Sequence, residues 1–169
     1  MSNIIDTRVM PTSPTNPAAR IPPRWVVRAA WVIHRAIYRV TGGRRGLTRP
    51  RPGHYGMLRL RTVGRRSGVE RAVILGYYLD GDAIVTIAMN GWAEAHPGWL
   101  YNLRANPQAV VDLVDGPRNV IAREAQGEER QRLWDGFSAY EPGASLDDYS
   151  ALRSTLTPVV VLEGATPVG

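Results

Sequence analysis

Six short apolar runs, punctuated by turn signals rather than by long helices, constrain this 169-residue chain more than any other feature. Residues Met57–Val63 alternate Leu58 and Leu60 with Arg59 and Arg61, the period-two pattern of a strand with one buried face and one wet or functional face. Ala72–Leu79 is a second run, and Asp80-Gly81-Asp82 turns it into a third, Ala83–Met89. Ala109–Val114 and Asn119–Ala125 flank Asp115-Gly116-Pro117 as another hairpin, and Pro158–Leu162 closes the series. Helical signals between them are sparse. Pro97–Ala105 has a proline in its first turn and Asn106-Pro107 at its end. Glu128–Tyr140 is helical, and Ser145 with Asp148 opens a short helix to about Thr155. Strands that meet mostly in hairpins predict an α+β, mainly β architecture: about six antiparallel strands closed into a barrel, with helices packed outside. A doubly wound parallel sheet is disfavoured, because strands do not alternate regularly with long helices.

Two segments precede the barrel. Residues 1–23 are proline-rich and polar and read as a disordered arm. Residues 24–165 read as one domain that starts with an amphipathic helix over 24–40, stopped by Thr41-Gly42-Gly43. Arg24, Arg28, Arg35 and Arg39 make a narrow basic stripe on that otherwise apolar helix. The stripe suits peripheral contact with an anionic membrane surface; it suits equally a helix packed on the barrel or a partner, arginines in solvent. No secretory signal is visible, so the expected location is cytoplasmic, with the cytoplasmic membrane face as an option.

Charge is distributed unevenly. Residues 1–71 hold 15 of the 21 arginines against only Asp6 and Glu70, a net +13, while the remainder carries −7. A basic first half points to an anionic partner. Specific nucleic-acid binding is not expected, because the strands lack interleaved exposed aromatics and the arginines fall on a helix and turns. The absence of cysteine excludes disulfides, thiolate catalysis and zinc–thiolate sites. His34, His54 and His96 are too widely spaced to predict a metal centre.

Two constellations carry candidate chemistry. Gly64-Arg65-Arg66-Ser67-Gly68-Val69-Glu70-Arg71 joins the first two strands. Its glycines allow a tight turn with exposed backbone N–H groups, and Arg65, Arg66 and Arg71 can pair with phosphate or carboxylate. A solvated basic hairpin tip accounts for the same residues, and spacing alone does not separate the two. The second constellation is Met89-Asn90-Gly91-Trp92, followed by His96-Pro97-Gly98-Trp99-Leu100-Tyr101-Asn102-Leu103. A strand end feeding a helix start offers backbone donors and a flat indole for a planar ligand. Trp99 and Leu103, at i and i+4, serve as well to cap the core.

The ordered set Gly-Arg-Arg-Ser-Gly-x-x-Arg, then Asn-Gly, then Pro-x-Trp-x-x-Asn-Leu-x-Ala-Asn-Pro, closing on Thr-Pro-Val-Val-Val-Leu-Glu, resembles the deazaflavin-dependent nitroreductase family over roughly residues 24–163. The resemblance implies a split β-barrel and the cofactor F420, whose tail of phosphate, lactate and glutamates is strongly anionic. It implies that Arg65, Arg66, Ser67, Gly68 and Arg71 hold that tail. Ile74, Ala88, Met89, Asn90 and Gly91 would border the ring, and Pro97, Trp99 and Asn102 would shape the pocket beyond. Tyr140 and Tyr149 match tyrosines near the family's substrate site, and a tyrosine hydroxyl or a water would donate the proton. Met89 and Trp92 are bulkier than their usual counterparts, which would narrow the substrate cavity. The implied activity is hydride transfer from reduced F420 to a small hydrophobic quinone, nitroaromatic or activated alkene, since the cofactor itself performs the redox step. A non-catalytic carrier of F420 is the alternative. A flavin such as FMN also pairs a planar ring with an anionic tail, and neither it nor the oligomeric state is decided by these residues.

Overall fold

Alternation in the first run and hairpin turns after the second produce the six antiparallel strands that the sequence anticipates. The computed structural model describes residues 46–91, 93–140 and 146–165. The expected arm at 1–23, the helix at 24–40, Trp92 and Ser145 lie outside the described residues. The strands are β1 (Gly56–Val63), β2 (Glu70–Asp80), β3 (Ala83–Ile87), β4 (Gln108–Leu113), β5 (Gly116–Glu124) and β6 (Val159–Gly164). The helices are α1 (Gly98–Ala105), α2 (Gly127–Ser138) and α3 (Leu146–Ser150). All strand pairs are antiparallel, in the closed order β1-β2-β3-β6-β5-β4, with β4 returning to β1.

Closure is uneven. Strands β1 and β2 pair from Gly56↔Tyr77 to Val63↔Glu70, but β2 and β3 pair only from Tyr78↔Val85 to Asp80↔Ala83. The first part of β2 is thus laddered to β1 alone, and the barrel is split on that side. Where β1 meets β4, only Arg59–Arg61 are paired, and Asp112 reinforces the seam with salt bridges to Arg59 and Arg61, both at 3.1 Å, while Arg61 also reaches Glu70 on β2 at 3.3 Å. The wet face read from Arg59 and Arg61 is this ion-pair ladder.

Two apolar layers hold the fold. Inside the barrel, Leu58, Leu60, Leu75, Tyr77, Val111 and Leu162 pack around Trp99, Leu100 and Leu103 of α1. Outside it, Tyr78, Val85, Ile87, Val159 and Val161 lie beneath Leu133, Trp134 and Phe137 of α2 and Leu146 of α3. Each fully buried aliphatic or aromatic side chain contributes about 1.5–3 kcal/mol. Because β3 and β6 are covered on both faces, they read as continuous apolar runs rather than alternating ones. The Arg132–Asp80 pair, two bonds of 2.9 Å, pins α2 to the β2–β3 hairpin, and Trp134 Nε1 donates to Asp147 at 2.7 Å, tying α2 to α3.

Four expected boundaries move for physical reasons. Strand β3 stops at Ile87, two residues before Met89, and β6 starts at Val159. Ala88 N–H donates to Pro158 O at 2.8 Å, but Pro158 has no N–H to return and the ladder ends. The helix expected to run to Thr155 ends at Ser150, because Ser154 and Thr155 turn their N–H and hydroxyl groups onto Glu94. Helix α2 ends at Ser138, and Tyr140 follows in a turn with its N–H on Phe137 O.

Candidate cofactor and acceptor site

The arginine turn is more tightly bound to itself than its sequence suggests. Gly68 takes the left-handed conformation, φ +65°, which closes the turn. Gly64 N–H donates to Val69 O at 2.9 Å, Ser67 and Gly68 N–H donate to Gly64 O at 3.2 and 2.8 Å, and Val69 N–H donates to Ser67 Oγ at 3.3 Å. Arg65 N–H is taken by Asn102 Oδ1 at 3.1 Å. The exposed nest of N–H groups expected here is therefore not formed: most of these donors are spent inside the turn. What the turn presents is side chains. Arg65, Arg66, Ser67, Gly68 and Arg71 are all exposed.

Their charges differ in commitment. Arg65 lies over the Tyr101 ring, 4.9 Å from its centroid, with Arg104 at 5.7 Å from the same ring. Arg104 is itself committed to Glu124 by bonds of 2.7 and 2.9 Å, which raise the pKa of Arg104 and lower that of Glu124. Arg66 and Arg71 have no carboxylate partner among the described residues. On the neighbouring face of β1, Arg59 and Arg61 are neutralised by Asp112 and Glu70.

Asn102 is placed behind this turn rather than in front of it. Its side chain is only 8% exposed; Oδ1 accepts from Arg65 N–H while Nδ2 donates to Thr62 Oγ1 at 3.1 Å. Both ends of the amide are thus engaged with the protein, and Asn102 ties the turn to the end of β1. Trp99 belongs to the barrel core and is 7% exposed, and Pro97 is the buried N-cap of α1. These three residues set the helix that braces the turn.

The residues expected around a ring fall where the barrel is split. Continuing the β2–β3 register beyond its last paired residues brings Ala88 level with Leu75 and Met89 level with Ile74. Ala88 has its methyl in the barrel interior and offers only backbone. Ile74 is half-buried and Met89 40% exposed, on the outward face that also carries Tyr78 and Ile87. The N–H groups of Met89, Asn90 and Gly91 have no partner among the described residues. Tyr140 and Tyr149 pack at the margin of the same outer layer; the Tyr140 ring stacks on Tyr78 with centroids 5.4 Å apart. Burial pushes the Tyr78 hydroxyl, which donates to Leu133 O at 2.9 Å, up to about 12, so it remains protonated.

Sequence reasoning gave no individual role to Tyr101, His96 or Glu94. Tyr101 supports Arg65. His96 is held toward its neutral form, first by burial and then by Arg104 and Arg153. Glu94, joined to Ser154 and Thr155, is held down to about 2 by four hydrogen bonds. No local pattern links Glu94 to partners so distant in sequence, and only the fold brings them together. Separately, a hollow of about 240 Å³ between α1 and β5–β6 is lined by Leu100, Leu103, Ala122 and Val160 together with the paired Arg104 and Glu124. None of the residues expected to hold the tail or the ring lines it.

Comparison with known proteins gives the family. Residues 31–164 match the F420H(2)-dependent quinone reductase family. This chain belongs to that family. The F420H(2)-dependent quinone reductase Rv1261c of Mycobacterium tuberculosis is 35% identical over 147 residues, covering 82% of this chain and 95% of the relative. A solved structure described as an F420-H2 dependent reductase, FDR-A, is 31% identical with a TM-score of 0.56, covering 63% of this chain and 93% of its own. Another, described as a domain-swapped dimer, is 29% identical with a TM-score of 0.60, covering 80% and 99%. This F420H2-dependent quinone reductase family member is accordingly an oxidoreductase with F420 as its cofactor. The barrel and the split-barrel expectation agree.

Proposed function

We propose that Arg65, Arg66 and Arg71, on the turn between β1 and β2, hold the anionic tail of F420. The ring would lie along Ile74 and Ala88–Gly91, where a quinone is reduced. One observation carries this reading: Arg66 and Arg71 are exposed on an internally bonded turn without a carboxylate partner among the described residues, while adjacent arginines are neutralised. Uncommitted guanidinium groups on a rigid support suit a tail bearing phosphate and carboxylates.

F420H2, when bound, supplies the hydride. The chain's task is to orient the acceptor and handle charge and protons. The N–H groups of Met89, Asn90 and Gly91 can donate to an acceptor oxygen as it gains negative charge. Tyr140 and Tyr149, at the margin of the same layer, are the side chains proposed to deliver a proton. Menadione reduction by F420H2, followed for wild type, Tyr140→Phe and Tyr149→Phe, tests the assignment. A loss of kcat of about 100-fold or more, on the order expected for a general acid, is predicted for one of the two; wild-type kcat in both removes them from the reaction.

Location is part of the proposal. No helix among the described residues is long and apolar enough to cross a membrane. The arginine stripe at Arg24, Arg28, Arg35 and Arg39 supports a cytoplasmic protein touching an anionic membrane face. Sedimentation of the full chain with anionic liposomes, compared with a variant carrying Gln at all four positions, tests it; equal sedimentation would dismiss the stripe as an anchor.

A further inference from the structure

The loop that leaves β3 and enters α1, which carries Asn90 and Gly91, is fastened to a distant segment of the chain. Glu94 makes the fastening. Its carboxylate accepts from Ser154 N–H at 3.0 Å, Ser154 Oγ at 2.9 Å, Thr155 N–H at 3.2 Å and Thr155 Oγ1 at 3.0 Å. Its backbone oxygen accepts from Arg153 Nη2 at 3.1 Å. Arg153 is 8% exposed and donates a further bond of 2.6 Å to Thr157 Oγ1, and the carbonyl of Thr157, a fully buried residue, accepts from Arg130 Nη2 at 3.0 Å. One residue later Pro158 O receives Ala88 N–H. The loop is therefore tied to residues 153–158 at its start, through Ala88, and again at Glu94.

These ties bracket the N–H groups of Met89, Asn90 and Gly91. Backbone in such a loop has several accessible conformations, and fixing each residue costs about 1–2 kcal/mol. Glu94 is exposed and belongs to neither apolar layer, so the core does not require it. Four donors converging on one solvent-side carboxylate are more than a surface ion pair provides. They are what a loop needs if its backbone must stay in one place.

We propose that Glu94 is a positioning residue for quinone reduction: by clamping the β3–α1 loop onto Ser154 and Thr155, it fixes the Asn90–Gly91 backbone beside the ring site while touching neither cofactor nor acceptor. This role rests on the site assignment proposed above. It separates two functions that a general loss of structure would join. Grip on the F420 tail belongs to the turn after β1, supported by Asn102, and does not depend on the clamp. Orientation of the acceptor depends on it.

The test uses the full chain, with F420H2 as donor and menadione as acceptor. Glu94→Ala is expected to hold F420 affinity within about threefold while lowering kcat for menadione about tenfold or more, since small misplacements at a reacting centre are costly. In the protein without cofactor, amide exchange over residues 88–97 is expected to speed up about tenfold, with β1 and β2 unchanged. Ser154→Ala with Thr155→Val removes the two hydroxyl donors and weakens the same clamp from the other side, leaving the two N–H donors. Added to Glu94→Ala it should deepen the loss by less than about twofold. Should Glu94→Ala fail to fold, Glu94→Gln and the Ser154/Thr155 variant carry the same comparison. Wild-type kcat with unaltered exchange overturns the clamp; so does a fall in F420 affinity as large as the fall in kcat. A wild type that neither binds F420 nor reduces menadione overturns the site assignment and the clamp together, an outcome distinct from an active wild type indifferent to Glu94.

Discussion

Asn102 holds the backbone of Arg65. The amide on α1 accepts the Arg65 N–H at 3.1 Å and simultaneously donates to Thr62 at the end of β1, so the helix and the strand that feed the turn are locked by one buried side chain. In the site proposed for the cofactor tail, arginines would supply the charge, while an uncharged residue in another element holds the backbone of one of them.

Removing that lock has a stability cost and a binding cost. Asn102→Ala leaves the Arg65 N–H without its acceptor and Thr62 without its donor, and is expected to destabilise the protein by about 1–3 kcal/mol. Urea unfolding measures this. F420 titration of the folded variant should show weaker binding, because the turn must be ordered by the ligand instead of by the protein.

Acid stability is governed partly by Glu94. Its folded pKa is about 2 against an ordinary 4.5, so the stabilisation is fully present above about 4.5 and is lost as pH falls toward 2. Asp80, held low by its bonds to Arg132, acts in the same direction. The wild-type Tm is expected to decline through this window, and Glu94→Gln should decline less steeply over the same range. A scan of Tm against pH checks both slopes.

Helix α2 presses against β2 at one glycine. A Cβ at Gly136 would lie 2.6 Å from the Tyr78 hydroxyl oxygen, which is buried and bonded to Leu133 O. In an exposed helix Gly→Ala gains about 1 kcal/mol from propensity. Here Gly136→Ala is expected to destabilise, by about 1–3 kcal/mol, because the ring must move within a packed layer. Thermal unfolding gives the sign directly.

The strands were legible where local chemistry decides them. Leu58 and Leu60 alternating with Arg59 and Arg61 specify β1, and Asp80-Gly81-Asp82 specifies the first hairpin. Sequence was less informative where partners are remote. Pro158 ends β3 by lacking a donor opposite Ala88, and Ser154 and Thr155 abandon a helix for a carboxylate 60 and 61 residues away. The candidate site divides in the same way. Arginines on a turn are visible as composition, so Arg65, Arg66 and Arg71 could be named at once. That the turn's N–H groups would point inward could not, because the acceptor for one of them sits 37 residues on. Trp99 was ambiguous between a ligand wall and the core, and burial places it in the core.

Uncommitted guanidinium groups after β1 binding the F420 tail are the centre of this account. Titrating F420 into wild type and into the Arg66→Ala/Arg71→Ala double variant, at one fixed ionic strength, tests it most directly. Wild type should bind at micromolar concentration or tighter. A hydrogen bond to a charged group is worth about 1.5–3 kcal/mol, so removing two should weaken binding about 100-fold or more, with an unchanged Tm. Equal affinity in the two proteins would contradict the account.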